Sequence, residues 1–181
     1  MLPLKYLSGY PPQLLAQASA LVEQGELLED LARRHGPMHD VRSDGALFEY
    51  VSGLKNRFLR NTGPLAKVAY DSKLQLVQQA LGTHTRVSRV QGNKLTAKRE
   101  IRVASLFKQA PAPFLKMIVV HELAHLKQPA HDKAFYALCT AMEPAYHQLE
   151  FDVRLWLCAL EFDARRGAPG RSSERSSAAC R

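Results

Sequence analysis

Phe114-Leu-Lys-Met-Ile-Val-Val-His121-Glu-Leu-Ala-His125-Leu-Lys127 is apolar on nearly every side of a helix, yet carries two histidines four residues apart with a glutamate between them. A helix that is apolar all round belongs inside a protein rather than on its surface. Residues four apart stand one above the other on a helix face, so both imidazoles can reach one metal ion. Glu122 lies about 100° round the helix from His121, close enough to hold a water on such an ion and take its proton. Zinc hydrolases work this way, with two histidine ligands, a third ligand elsewhere and an open position for water. At the His and Glu frequencies of this chain, chance supplies about 0.015 such motifs.

Gln128-Pro129 should end the helix, because the residue before a proline is pushed out of the helical region. The turn lets His131 swing back toward the metal as third ligand. The six-residue step from His125 to His131 is also that of the metzincins, although Gln128 stands where they carry a glycine. His147, four residues after Glu143, is the rival ligand.

Outward from this segment the pattern is mixed. Pro11-Pro12 opens a helical spacing of Leu14, Leu15, Ala18, Leu21, Val22, Leu28 and Leu31 that stops at His35-Gly-Pro37, and a second helix follows Asp44 as far as Phe58. Residues 65–70, 73–77, 84–90 and 100–106 read as strands. The first two join at Asp71-Ser72, and a turn containing Gly92-Asn93 separates the last two. Helical patterns return at 131–142 and 146–160. Helices, a small and mostly antiparallel meander and more helices make an α+β class.

The 181 residues suit one domain with a real core. We read it as residues 1–164, a helical N-terminal part at 1–63 and the sheet and active-site helices at 64–164. A basic tail at 165–181, short of large apolar groups, is expected to be disordered. No run approaches the roughly 18–20 apolar residues of a membrane span, and no basic cluster leads into an apolar stretch as in a secretory signal. Cys139, Cys158 and Cys180, widely spaced and without a CxxC, fit a reducing cytoplasm. The net charge of +8 is concentrated in the tail and in residues 84–108, where Arg86, Arg89, Lys94, Lys98, Arg99, Arg102 and Lys108 face one acid, Glu100.

The stretch Ile118-Val-Val-His-Glu-Leu-Ala-His-Leu126 with Pro129-Ala-His-Asp-Lys-Ala-Phe135 resembles the YgjP-like metal-dependent hydrolases, small bacterial relatives of the SprT-like and WLM metalloproteases. Arg86-Val-Ser-Arg-Val-Gln-Gly92, Glu100-Ile-Arg-Val103 and Met142-Glu-Pro-Ala-Tyr-His-Gln-Leu-Glu-Phe-Asp152 extend the likeness over roughly residues 5–160. It implies a minimal zincin-like fold in which a small sheet packs on the HExxH helix, zinc on His121, His125 and His131, and Glu122 as general base. It also links the chain to nucleoside triphosphate hydrolysis, UTP in particular.

Two substrates therefore compete, with a metallopeptidase-like zinc hydrolase as the leading reading and a nucleoside triphosphate pyrophosphatase as the alternative. In one reading the strand at 86–90 is an edge to which an extended peptide adds by backbone hydrogen bonds. In the other, Arg86, Arg89 and Arg102 clamp a polyphosphate through charge-assisted bonds. A nucleic-acid-binding role for the basic segment is a third reading, but no nucleic-acid motif occurs and aromatics are not interleaved with the basic residues.

Overall fold

The computed structural model describes residues 4–74 and 99–167. The elements are α1 (Pro12–Gln24), α2 (Leu27–His35), α3 (Asp44–Phe58), β1 (Lys67–Asp71), β2 (Glu100–Ala104), α4 (Ala112–Ala124), α5 (Lys133–Met142) and α6 (Tyr146–Gly167), with 3₁₀ turns at Lys5–Leu7 and Ser105–Gln109.

The apolar spacing from Leu14 to Leu31 is carried by two helices rather than one. Gly25 takes φ +78° and its N–H bonds the Val22 carbonyl, closing α1 in the left-handed conformation that glycine adopts at no steric cost. α3 starts where expected, because Ser43 Oγ accepts the Ala46 N–H at 3.1 Å.

The described part of the sheet is not the antiparallel pairing that a meander leads one to expect. Among the described residues, β1 and β2 pair in parallel, with Lys67 opposite Glu100 and Asp71 opposite Ala104. Residues 72–99 separate the strands, long enough for the crossover that parallel pairing requires and a hairpin forbids. Ser72 and Lys73 form a turn instead of opening a strand. The expected strand at 84–90, and 75–77 of the one before it, lie outside the described residues.

α4 is the centre of the molecule. β2, α3, α5 and α6 all pack against it, which is why nine of its residues, Phe114, Leu115, Met117 to His121, Leu123 and Ala124, are buried. Each large apolar side chain buried there contributes roughly 1.5–3 kcal/mol. A single core cluster runs from Tyr6 to Ala159. α6 closes it, its buried Asp152 meeting His35 Nε2 at 2.8 Å and Gln148 Nε2 at 3.0 Å.

α6 runs past the expected boundary at 164. Arg165 pairs with Glu161 at 2.6 Å and Arg166 lies over the Phe162 ring. The rest of the basic tail, 168–181, is outside the described residues. Cys139 and Cys158 are buried free thiols, and no helix among the described residues is long and apolar enough to cross a membrane.

Candidate metal centre

The last turn of α4 and the loop after it build the site. α4 stops at Ala124 rather than running on to Lys127. The Lys127 and Gln128 amides both fold back on the Ala124 carbonyl, at 3.0 and 2.9 Å. His125 sits at that end, its own N–H still bonded to the His121 carbonyl at 3.3 Å, so the four-residue stacking of the two rings survives. After Pro129 the chain reverses. Asp132 Oδ1 accepts the Phe135 N–H at 2.9 Å and starts α5, which leaves His131 facing back onto α4.

Three Nε2 atoms converge as a result. His121 and His125 are 3.2 Å apart, His121 and His131 3.2 Å, and His125 and His131 3.0 Å. Beneath them Phe135 is fully buried, its ring centroid 5.0 Å from that of His121 and 4.6 Å from those of His125 and His131.

Each α4 histidine is held from its far side. His125 Nδ1 lies 3.0 Å from the Gln128 carbonyl oxygen. A carbonyl only accepts, so Nδ1 carries the hydrogen and the Nε2 of the neutral ring presents a lone pair. His121 Nδ1 lies 2.7 Å from Tyr146 Oη. Burial, reinforced by the neighbouring His125 and His131, holds the His121 pKa well below the usual histidine value, so its ring is neutral. Burial also drives the Tyr146 hydroxyl upward.

Ring nitrogens this close bring their lone pairs to one point, and each contact not bridged by a hydrogen is a repulsion between lone pairs. A cation at the centre makes all three attractive. Ligands of a tetrahedral ion at about 2.0–2.1 Å stand about 3.3 Å apart, near the spacing here. Among the described residues these three form a group able to hold a metal ion, so the donor set fits. Glu122 keeps some surface exposure, but the packing around its carboxyl strips enough water to push its pKa up to about 7.

The other sequence candidates are elsewhere. His147 is exposed and its ring packs on Tyr136 at 5.3 Å, leaving His131 as the third histidine of the cluster. Arg102 is exposed on the face of β2 opposite buried Ile101 and Val103, and Asp71 and Glu100 already hold it at 3.0 and 3.4 Å. It sits in a carboxylate pair at the sheet surface, not among the histidines, because strand alternation turns it away from the core that α4 occupies. Arg86 and Arg89 lie outside the described residues. Tyr146 and Phe135 were not singled out as site residues by spacing. The only signal was that both fall in stretches carrying the family resemblance.

An α+β fold that buries an HExxH helix and brings a third histidine back onto it is that of a metallopeptidase-like domain. The sequence pattern of the YgjP-like metallopeptidase domain matches residues 65–154. A protein of Escherichia coli (strain K12) named UTP pyrophosphatase is 59% identical over 157 residues, 87% of this chain and 94% of that protein. The chain belongs to the YgjP-like family. No solved structure matches it.

Proposed function

We propose that the chain hydrolyses nucleoside triphosphates, UTP among them, to the monophosphate and pyrophosphate at a zinc centre. His121, His125 and His131 would hold the ion and Glu122 would be the general base. The convergence of the three Nε2 atoms carries the hydrolase reading, and identity to the relative named UTP pyrophosphatase supports the substrate class.

A divalent cation bound there would supply Lewis acidity, lowering the pKa of a water and drawing charge from a phosphoryl oxygen. Glu122 takes the water proton on a carboxylate oxygen, for which a pKa of about 7 suits it better than the ordinary value of an exposed glutamate. The water oxygen bonds to the α-phosphorus, the α–β P–O bond breaks, and the pair of electrons leaves with pyrophosphate. His121 stays neutral in its buried position and takes no proton from the reaction. Arg86 and Arg89, in the basic stretch of the sequence, would steady the phosphate chain. Arg102, exposed and paired with Asp71 and Glu100, would have to leave those carboxylates to join the clamp.

The peptide-hydrolysing reading, which leads on the sequence alone, becomes the second one, favoured by the metallopeptidase domain pattern over residues 65–154. The same base and histidines would then act on a scissile amide. Zinc-loaded protein assayed against UTP and against casein separates the two. The expected result is pyrophosphate released from UTP, and a loss of about 10²–10⁴-fold in Glu122→Gln with zinc content retained. Arg86→Ala and Arg89→Ala should each weaken UTP use by about 1.5–3 kcal/mol. Casein cleavage without pyrophosphate release would overturn the nucleotide reading.

A further inference from the structure

The two α4 histidines are supported by unlike groups: a backbone carbonyl in its own turn for His125, a side chain from a distant helix for His121. Tyr146 opens α6 and is fully buried. Its ring and that of His121 are nearly parallel, 18° apart, with centroids separated by 6.4 Å. The 2.7 Å contact therefore runs edge to edge, in the plane where an imidazole N–H points. A buried hydroxyl needs a hydrogen-bond partner, and here His121 Nδ1 is one. Cys139 of α5, also fully buried, neighbours the same hydroxyl.

We propose that Tyr146 is the positioning residue of the metal centre: His121 donates Nδ1–H to Tyr146 Oη, and His121 Nε2 is left as a lone pair facing His125 and His131. This rests on the reading of the triad as a metal centre. A neutral imidazole carries one hydrogen, and the partner of one nitrogen decides which nitrogen holds it. Without the Tyr146 oxygen, a hydrogen on buried Nδ1 would have no acceptor there. The ring would place it on Nε2 instead, where it can bridge to the neighbouring histidine nitrogens at 3.2 Å and compete with the ion.

Removing the outer partner of a ligating histidine weakens metal binding by about 10–100-fold. Metal-stripped wild type and Tyr146→Phe, titrated with Zn²⁺ against a chromophoric chelator, should differ by that factor. The urea midpoint of the metal-free protein should move little, since phenylalanine fills nearly the same space. The visible absorption of the Co²⁺-loaded protein should shift in the variant, a change that packing alone would not produce. In metal-free wild type, the ¹⁵N shifts of His121 should report hydrogen on Nδ1, which tests the assignment even if the variant folds poorly. Zn²⁺ affinity within about threefold of wild type, an unchanged Co²⁺ spectrum or hydrogen on Nε2 would overturn the proposal alone. Failure of wild type to bind Zn²⁺ at all would overturn the metal centre with it.

Discussion

Replacing Phe135 with alanine would take away the floor on which the three histidines rest. The side chain is fully buried. Its ring meets His121 and His131 nearly edge-on, at 75° and 71°, and is tilted by 38° against His125. Truncating a buried phenylalanine to alanine costs about 3–5 kcal/mol, through lost transfer free energy and the cavity left behind. Ring–ring contacts add about 0.5–1.5 kcal/mol each beyond area, and three of them at one ring place this site near the top of the range, about 4–5 kcal/mol. Against a total of about 5–15 kcal/mol for a domain, Phe135→Ala should fold with a narrow margin. Phe135→Leu keeps most of the volume without the ring and should lose about 1–2 kcal/mol. Urea unfolding of the metal-free proteins, followed by far-ultraviolet circular dichroism, measures both. Repeating it with saturating Zn²⁺ asks whether the ring also orients the ligands, since a ligand stabilises by RT ln(1 + [L]/Kd). The increment should shrink in Phe135→Leu. A loss below about 2 kcal/mol in Phe135→Ala, or an undiminished zinc increment in Phe135→Leu, would refute this account of the floor.

His131→Ala should abolish stoichiometric zinc in metal analysis of the purified protein, while His147→Ala keeps it; the reverse pattern would remove His131 from the ligand set. Burial works to raise the Glu143 pKa, but the hydrogen bond from Lys116, the Ala145 amide and the Lys116 charge outweigh it and hold the carboxyl below its ordinary 4.5. A carboxyl lowered by folding contributes stability above its unfolded pKa and loses it as pH falls through the folded value. The Lys116–Glu143 pair at 2.6 Å is partly open to solvent, so its share is below about 1 kcal/mol. Lys116→Met should therefore lower the urea midpoint slightly at pH 7 and flatten its fall below pH 4.5. Parallel midpoint curves for the two proteins from pH 7 to pH 3 would show that the pair contributes nothing.

The parts of the site that were legible are those decided by neighbours in sequence. The helical repeat alone stacks His121 on His125, and Pro129 marks the stop beyond which His131 can return. What escaped was set across the chain. The pairing of β1 with β2 depends on a partner strand beyond residues 72–99, and strand patterns carry no mark of relative direction. The break at Gly25 was hidden because Leu27, Leu28 and Leu31 continue the apolar spacing on the far side of it. Arg102 looked like part of a basic clamp because net charge does not show that Asp71, on the neighbouring strand, would neutralise it. Tyr146 and Phe135 reach the histidines only once α5 and α6 have packed on α4, and no spacing rule encodes that.

The support beneath His125 has a consequence for how this centre can vary by inheritance. The group that matters at position 128 is the main-chain oxygen, so a codon change there to any residue that keeps the same turn delivers the same acceptor. Proline is the exception, because the Gln128 amide also closes the helix end on Ala124. At position 146 the acceptor is a phenol oxygen, and most substitutions delete it. Drift at 128 is silent at the site, leaving that side chain free to follow demands at the surface. Heritable retuning of the centre runs instead through position 146.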